Sequence, residues 1–204
     1  MELKDRILES TNELFYQYGV KSITMDDIAN HLGISKKTIY EVFKNKKELV
    51  KQIVEMNLNF TESEIELKLN NSLDAIDAVM QITAAIGGML ERMNPKLLYD
   101  LQKYHSNAWK LFVKFKNDFL TEIVIKYLRR GKREGVFRPD MKLKVLAKIR
   151  IEQIESLLNP QLFPPDEFTV KELMEESAKH FIIGVTTLKG HKLFNSYNKA
   201  YELG

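Results

Sequence analysis

Residues 22–50 of the chain read SITMDDIANHLGISKKTIYEVFKNKKELV, and this stretch decides the fold. Thr24 followed by two carboxylates is typical of a helix N-cap and an acidic first turn. Gly33 predicts the end of that helix, and Ser35 offers the N-cap of another. The stretch therefore predicts two short helices joined by a tight turn, the second beginning after Ser35.

The second of these helices has apolar residues only at Ile39 and Phe43, one turn apart. The side chains left outside the small core are Lys36, Lys37, Thr38, Tyr40 and Glu41. Lysines neutralise phosphates, hydroxyls and helix N-termini bind phosphate oxygens, and exposed side chains reach base edges. This face is typical of a helix-turn-helix whose second helix enters the major groove. An ordinary three-helix bundle with solvated lysines is the alternative.

Flanking residues add a helix on each side of this pair. Residues 3–18 repeat apolar side chains at helical spacing, and Gly19 stands where a left-handed cap would close the helix. Asn45 with Glu48 forms an Asn-x-x-Glu variant of the capping box and starts a longer helix. The first fifty residues are thus predicted to be a three-helix, helix-turn-helix domain, and the longer helix links them to the rest.

Composition favours an all-α protein. The chain has 204 residues, 44% of them hydrophobic and 29% charged, with only 9 glycines and 5 prolines for turns. It has no cysteine, which excludes a disulfide framework and a thiolate zinc site. Neither a signal peptide nor an apolar run of the ~18 residues that span a membrane is expected from this sequence. We therefore expect a cytoplasmic protein.

Beyond residue 56 the apolar spacing predicts further helices. Asn94-Pro95 marks a boundary, and a long helix is expected over residues 107–133. Another helix is expected over residues 143–158, and a final long one follows the proline-containing loop of residues 159–165. About nine helices result in the whole chain.

Residues 22–50 also resemble the signature of the tetracycline-repressor (TetR) family. The shared features are a threonine that opens the first helix of the pair, an Ile-Ala pair, a Leu-Gly-Ile turn, a tyrosine and a Phe-x-x-Lys-x-x-Leu run. The residues that supply them are Thr24, Ile28, Ala29, Leu32, Gly33, Tyr40, Phe43, Lys46 and Leu49. The match covers about the first quarter of the chain, and it implies a one-component transcriptional regulator.

The resemblance implies DNA contacts on and around the second helix of the pair. Thr24, Thr38, Tyr40 and Lys46 would contact phosphates, with Tyr40 also near bases. Lys36 and Lys37 would meet the backbone or bases, where lysine favours guanine O6 and N7. The predicted DNA-contacting set is Thr24, Ser35, Lys36, Lys37, Thr38, Tyr40 and Lys46.

Asp26 departs from the family, many of whose members carry a basic residue that approaches DNA at this position. A carboxylate cannot contact phosphate favourably. We expect Asp26 to accept a hydrogen bond from cytosine N4 or simply to cap the helix.

The resemblance further implies a ligand-sensing and dimerisation domain over residues 51–204, behind a DNA-binding domain over residues 1–50. The family's homodimer packs its last two long helices against the same pair in a second subunit. The helix over residues 143–158 is apolar on more than one side, as a partner would require, although deep burial in a monomer is the alternative. The predicted interface residues are Ile154, Leu158, Leu173, Ser177, Phe181 and Val185.

A small-molecule effector, of a hydrophobic kind, is also implied by the resemblance. Methionine and aromatic residues are concentrated in the central helices, and pockets are mostly apolar with a few placed polar groups. The candidate pocket residues are Met80, Met89, Met93, Tyr104, His105, Trp109 and Phe112. Ordinary core packing is the alternative for each of them.

Two other classes of protein fit the sequence less well. A helical enzyme with a helix-turn-helix-like head lacks support, because the four histidines form no His-x-x-x-His pair and no glycine-rich phosphate loop is present. We therefore predict no catalytic residue, no metal site and no cofactor. A partner-binding protein, whose basic residues 126–133 touch a membrane or an acidic protein, rests on composition alone.

Overall fold

The computed structural model describes residues 2–94 and 96–202, and every regular element in these ranges is helical. The helices are α1 (Leu3–Tyr18), α2 (Met25–Leu32), α3 (Lys36–Val42), α4 (Lys46–Asn71), α5 (Ala75–Arg92), α6 (Leu97–Tyr104), α7 (Ser106–Lys114), α8 (Thr121–Glu134), α9 (Leu143–Leu157), α10 (Val170–Val185) and α11 (Leu188–Glu202). A π-helical segment, Phe115–Leu120, joins α7 to α8. The predicted all-α class is confirmed.

The boundaries of α1, α2 and α3 agree with the sequence-based ones, and the differences lie further along the chain. The long helix predicted over residues 107–133 contains the π-helical segment, whose wider turns separate α7 from α8. A last helix, α11, was not predicted, because lysine, asparagine and glycine interrupt its apolar positions. Pro95, half of the predicted Asn94-Pro95 boundary, lies outside the described residues.

Two compact units divide the chain. The first consists of Met1–Thr61 with Arg92–Phe115, and the second of Glu62–Glu91 with Lys116–Gly204. Helix α4 contributes to both. The boundary predicted between residues 50 and 51 separates a DNA-binding domain from a ligand-sensing domain. This division by function stays a prediction.

The first unit is built around one apolar core. Phe15 of α1, Ile28 of α2 and Ile39 of α3 are at most 1% exposed, as is Phe43 just after α3. Leu101 of α6 joins the same cluster. Burial of one such side chain contributes about 1.5–3 kcal/mol. The core therefore fixes α3 to the helices that surround it.

Polar contacts fix the same helices at the edges of this core. Asn12 and Asn57 exchange two amide hydrogen bonds, of 3.3 and 2.8 Å. Arg6 donates from Nη2 to the carbonyl oxygen of Leu32 at 2.8 Å. This bond satisfies one of the carbonyls that the end of a helix leaves without an intrahelical partner.

The second unit joins its helices through Arg130 of α8. Its Nη1 donates to Ser72 Oγ at 2.6 Å, and its Nε donates to Glu134 Oε1 at 2.6 Å. The other oxygen of Glu134 accepts from the backbone N–H of Ala75 at 2.8 Å and so caps α5. Arg130 is therefore an internal link rather than part of a solvated basic face.

Candidate nucleic-acid interface

The turn between α2 and α3 positions the candidate interface. Gly33 has φ 65° and ψ 32°, the left-handed conformation that favours glycine, and its N–H bonds the carbonyls of Ala29 and Asn30. Ser35 then caps α3, because its Oγ accepts from the backbone N–H of Thr38 at 3.0 Å. The predicted turn and N-cap are both confirmed.

A capping box starts α2. The hydroxyl of Thr24 accepts from the backbone N–H of Asp27 at 3.2 Å and donates to Asp27 Oδ2 at 2.7 Å. The backbone N–H of Thr24 donates to the same carboxylate oxygen at 2.8 Å. These bonds from Thr24 lower the pKa of Asp27. The predicted N-cap is confirmed, and its carboxylate comes from Asp27 rather than from Asp26.

Helix α3 turns one side into the core and leaves the other in solvent. Ile39 and Phe43 are completely buried, whereas Lys36, Lys37 and Tyr40 are exposed. Tyr40 is 44% exposed. A recognition helix in the major groove has this arrangement. Its apolar side is anchored in the core, and cationic and hydroxyl groups on its other side contact phosphates and base edges.

Lys36 and Asp26 form an ion pair across the turn. The Nζ of Lys36 lies 2.7 Å from Oδ2 of Asp26, and the side chains are 44% and 63% exposed. The hydrogen bond to Asp26 raises the pKa of Lys36. The first lysine of α3 is therefore held by a carboxylate of α2.

Sequence reasoning missed this ion pair. Ten positions separate the two residues, so no helical spacing connects them. The contact depends on how α2 and α3 cross, which the turn and the core determine together. The only signal in the sequence is that an acidic residue stands where the family often has a basic one.

Lys46 faces the inside of the first unit rather than open solvent. Its Nζ donates to the carbonyl oxygen of Val20 at 2.5 Å and to that of Ile23, and it lies 5.9 Å from the ring centroid of Phe15. Burial lowers its pKa. Because an ammonium has three N–H donors, the predicted phosphate contact would have to use the third.

A buried histidine lies close to Lys46. His105, between α6 and α7, is 9% exposed, and its Nδ1 has no hydrogen-bond partner among the described residues. Burial lowers its pKa, and the charges of Lys46 and Lys47 lower it further. The uncharged ring is therefore the favoured form in the folded protein.

The residues predicted for a ligand pocket belong to both compact units. Met80 and Met89 lie in the second unit, and Met93, Tyr104, His105, Trp109 and Phe112 lie in the first. Trp109 packs against the core of the first unit, with its ring centroid 5.3 Å from that of Phe112. Tyr104 is 37% exposed and has Lys21 above its ring at 5.2 Å. A shared pocket for the seven residues stays a prediction.

The residues predicted for a dimer interface fall into two groups. Ser177, Phe181 and Val185 are buried within the second unit, so their contacts are with this chain itself. The half-buried members are Ile154, Leu158 and Leu173. Large apolar side chains on the same two helices that are at least half exposed are Val145, Ile149 and Ile183. Their exposure was not predicted, although the four-residue spacing of Val145 and Ile149 is a signal that could have identified this face.

Two kinds of site have no counterpart in the described part of the chain. No group of three or more His, Cys, Asp or Glu side chains is placed there to hold a metal ion. None of the helices in that part combines the length and the apolarity needed to cross a bilayer.

Comparison with known proteins identifies relatives along most of the chain. Residues 7–53 match the family described as bacterial regulatory proteins, tetR family. The HTH-type transcriptional regulator YvaF of Bacillus subtilis (strain 168) is 30% identical over 185 residues, which are 89% of this chain and 94% of YvaF. IcaR of Staphylococcus aureus (strain Newman), a negative transcriptional regulator of the biofilm operon icaADBC, is 33% identical over 39% of this chain and 42% of IcaR.

Solved structures share the fold. A transcriptional regulator from Cytophaga hutchinsonii ATCC 33406 superimposes with a TM-score of 0.74 at 21% identity, over 90% of this chain and 98% of that one. The helix-turn-helix and the helices that follow it thus occur together in known regulators.

Proposed function

Because the chain belongs to the TetR family of bacterial regulatory proteins, we propose that it controls transcription by placing α3 in the major groove of a double-stranded DNA operator. The observation that carries this proposal is the two-sided α3. Ile39 and Phe43 anchor the helix in the core, and Lys36, Lys37 and Tyr40 stand in solvent. A rigid helix with an exposed cationic face gives both affinity for phosphate and access to base edges.

The exposed groups have different parts in this proposal. Lys37 neutralises phosphate or meets a guanine, and Tyr40 contacts phosphate next to the bases. The N-terminus of α3, with Ser35 and Thr38, presents hydroxyls and N–H groups to the backbone. Lys36 joins them once it leaves Asp26, and Asp26 is then free to accept from cytosine N4.

Thr24 and Lys46 contribute to DNA binding chiefly by stabilising the fold around α2. The hydroxyl of Thr24 is engaged in the capping box, and two donors of Lys46 hold the segment before α2. Both residues thereby fix the N-terminus of α2 at the protein surface. Their contacts with phosphate would be made by the hydrogen-bonding capacity that remains.

A homodimer places two copies of α3 on one operator. Two-fold symmetry matches a pseudo-palindrome whose half-sites lie about 34 Å apart, one helical turn. We assign the dimer surface to the exposed apolar side chains of Val145, Ile149 and Ile183, flanked by the half-buried members of the predicted interface. Ser177, Phe181 and Val185 support this surface from inside the second unit.

A small, hydrophobic effector acting on residues 51–204 would release the operator from residues 1–50. Helix α4 runs through both compact units, so a change in its orientation alters the separation of the two DNA-binding heads. IcaR is a negative regulator, which supports repression as the direction of control. We place this activity in the cytoplasm, where the DNA of a bacterial cell lies.

Selection from random duplexes with the purified full-length protein tests the proposal. We expect enrichment of a pseudo-palindrome with half-sites one helical turn apart. Tyr40→Phe and Lys37→Ala should weaken binding to the enriched duplex, whereas Lys192→Ala, an exposed lysine of α11, should not. Recovery of no enriched sequence by the folded wild-type protein would contradict the proposal.

A further inference from the structure

Arg150 of α9 is a buried cation in the second unit. It is 1% exposed and has the largest side chain among those that are fully buried. A buried charge is costly unless an opposite charge or a full set of hydrogen bonds compensates it. The groups around the guanidinium therefore show whether the fold by itself compensates the buried charge of Arg150.

All of its observed partners are neutral. Nη1 donates to the carbonyl oxygen of Ser177 at 3.1 Å, to the hydroxyl of Ser177, and to Gln153 Oε1 at 3.2 Å. Tyr127 also lies close enough to the guanidinium for the charge of Arg150 to oppose the effect of burial on the pKa of Tyr127. In the described ranges, no carboxylate forms an ion pair with Arg150, whereas Arg130 of the same unit has Glu134.

The second terminal nitrogen of Arg150 is left without a partner by the described part of the chain. Nη2 is buried and has no hydrogen-bond partner among the described residues. It carries two of the five N–H donors of the guanidinium. Arginine presents its donors as a rigid fork that matches the two oxygens of a carboxylate, which an ammonium cannot do.

A buried aromatic ring packs over the guanidinium, beside its polar partners. The ring of Phe181 lies 5.1 Å from Cζ of Arg150 and meets the ring of Tyr127 edge-on at 6.2 Å. Phe181 and Tyr127 are 7% and 3% exposed. Burial raises the pKa of Tyr127, so its hydroxyl stays neutral. One charge among buried apolar side chains is typical of the residues that line small-molecule sites.

We propose that Arg150 binds the carboxylate of an otherwise apolar small molecule within the second unit. One guanidinium offsets one negative charge, which favours a monoanionic carboxylate over a dianionic phosphate. The identification of this acid as the effector rests on the proposed function. The binding site itself does not.

Thermal unfolding of the full-length protein in the presence of paired probes tests the site. The probes are straight-chain carboxylates from butyrate to palmitate together with benzoate, each paired with the alcohol of the same carbon skeleton. We expect at least one carboxylate to raise the Tm of the wild-type protein more than its alcohol does. The affinity for that carboxylate should fall at least about tenfold in Arg150→Met, because a charge-assisted hydrogen-bond pair is lost.

Arg129→Met is the matched control, since it removes an exposed guanidinium from α8 of the same unit. It should keep the wild-type response. If Arg150→Met does not fold, Arg150→Lys keeps the charge without the fork, and it should also bind the carboxylate more weakly. The proposal is overturned if no carboxylate outperforms its alcohol on the wild-type protein. It is also overturned if the folded Arg150 variant retains the wild-type affinity.

A second measurement separates this site from the proposed function. The carboxylate that binds through Arg150 is added to the complex of the protein with its selected duplex, and we expect it to release the DNA. Thermal stabilisation without release would remove the effector role and leave the site standing. Failure to select any duplex would contradict the proposed function without touching the thermal result.

Discussion

The two compact units hold their key cations in opposite ways. Lys36 of the first unit is 44% exposed and paired with Asp26, whereas Arg150 of the second is 1% exposed and has no carboxylate beside it among the described residues. An exposed ion pair contributes only about 0–1 kcal/mol, so Lys36 can exchange Asp26 for a phosphate at little cost. A buried guanidinium has no such freedom. The first unit is thus suited to reversible contact with a polyanion, and the second to one enclosed anion.

The largest expected effect is a loss of stability when the buried side of α3, which holds its exposed side in place, is truncated. Phe43→Ala should lower the free energy of unfolding by about 3–5 kcal/mol, because Phe43 is completely buried in the core of the first unit. Urea unfolding measures this loss. Phe60→Ala removes the same ring from a site that is 69% exposed, and it should cost less than about 0.5 kcal/mol. Equal losses in the two variants would show that the core does not anchor α3.

A substitution on α9 tests the surface that the second unit offers to another copy. Ile149 is 55% exposed, and Ile149→Glu would place a charge in the proposed dimer interface. We expect dimerisation to weaken at least about tenfold, as measured by sedimentation equilibrium. Leu162→Glu, at a site 59% exposed in the loop after α9, is the control and should leave the dimer intact. An intact Ile149→Glu dimer would place the interface elsewhere.

The ion pair of the first unit can be released by one neutralising change. Asp26→Asn frees Lys36 and should raise the affinity for non-specific duplex DNA up to about fivefold, since an exposed pair contributes up to about 1 kcal/mol. Glu41→Gln removes one negative charge from α3 itself and controls for the change in net charge. Fluorescence anisotropy at fixed salt compares the two variants. If Glu41→Gln raised the affinity as much as Asp26→Asn does, the pair would not restrain Lys36.

The smallest effect is a pH dependence that originates at His105. Burial, helped by Lys46 and Lys47 and opposed by Asp100, lowers the pKa of His105 below its ordinary value of 6.5. The unfolded chain therefore takes up the proton first as the pH falls. The stability contributed by the neutral ring is present above about pH 6.5 and is lost as the pH falls through the lower pKa of the folded state.

Urea unfolding between pH 7.5 and pH 5 measures this dependence. His105→Gln should lose less stability over that range than the wild-type protein does. His191→Gln, at an exposed site of α11, is the control. If His105→Gln showed the same dependence of stability on pH as the wild-type protein, His105 would not be the origin of that dependence.

Sequence alone predicted α2 and α3 down to their caps. Thr24, Gly33 and Ser35 act through their own backbone or their nearest neighbours, so their roles are local and visible in the sequence. The same holds for Ile39 and Phe43, whose spacing on one short helix determines which side is buried. Local rules suffice where an element is short and capped at its ends.

Contacts between distant residues could not be predicted in this way. The pairing of Asp26 with Lys36 and the inward course of Lys46 depend on how helices cross. In the second unit, Arg150 is one basic residue in an apolar helix, and nothing in the sequence indicated that α8 and α10 enclose it. Helical spacing also could not separate Phe181, buried within the chain, from Ile183, which is 50% exposed two positions later.

The salt dependence of operator binding tests most directly the claim that the exposed face of α3 contacts DNA. The logarithm of the affinity for the selected duplex is measured against the logarithm of the salt concentration, for the wild-type protein and for Lys37→Ala. We predict that the slope becomes shallower by about one per subunit, because each Lys37 neutralises one phosphate. Lys192→Ala should keep the wild-type slope. An unchanged slope in Lys37→Ala would contradict the assignment of α3 as the DNA-binding surface.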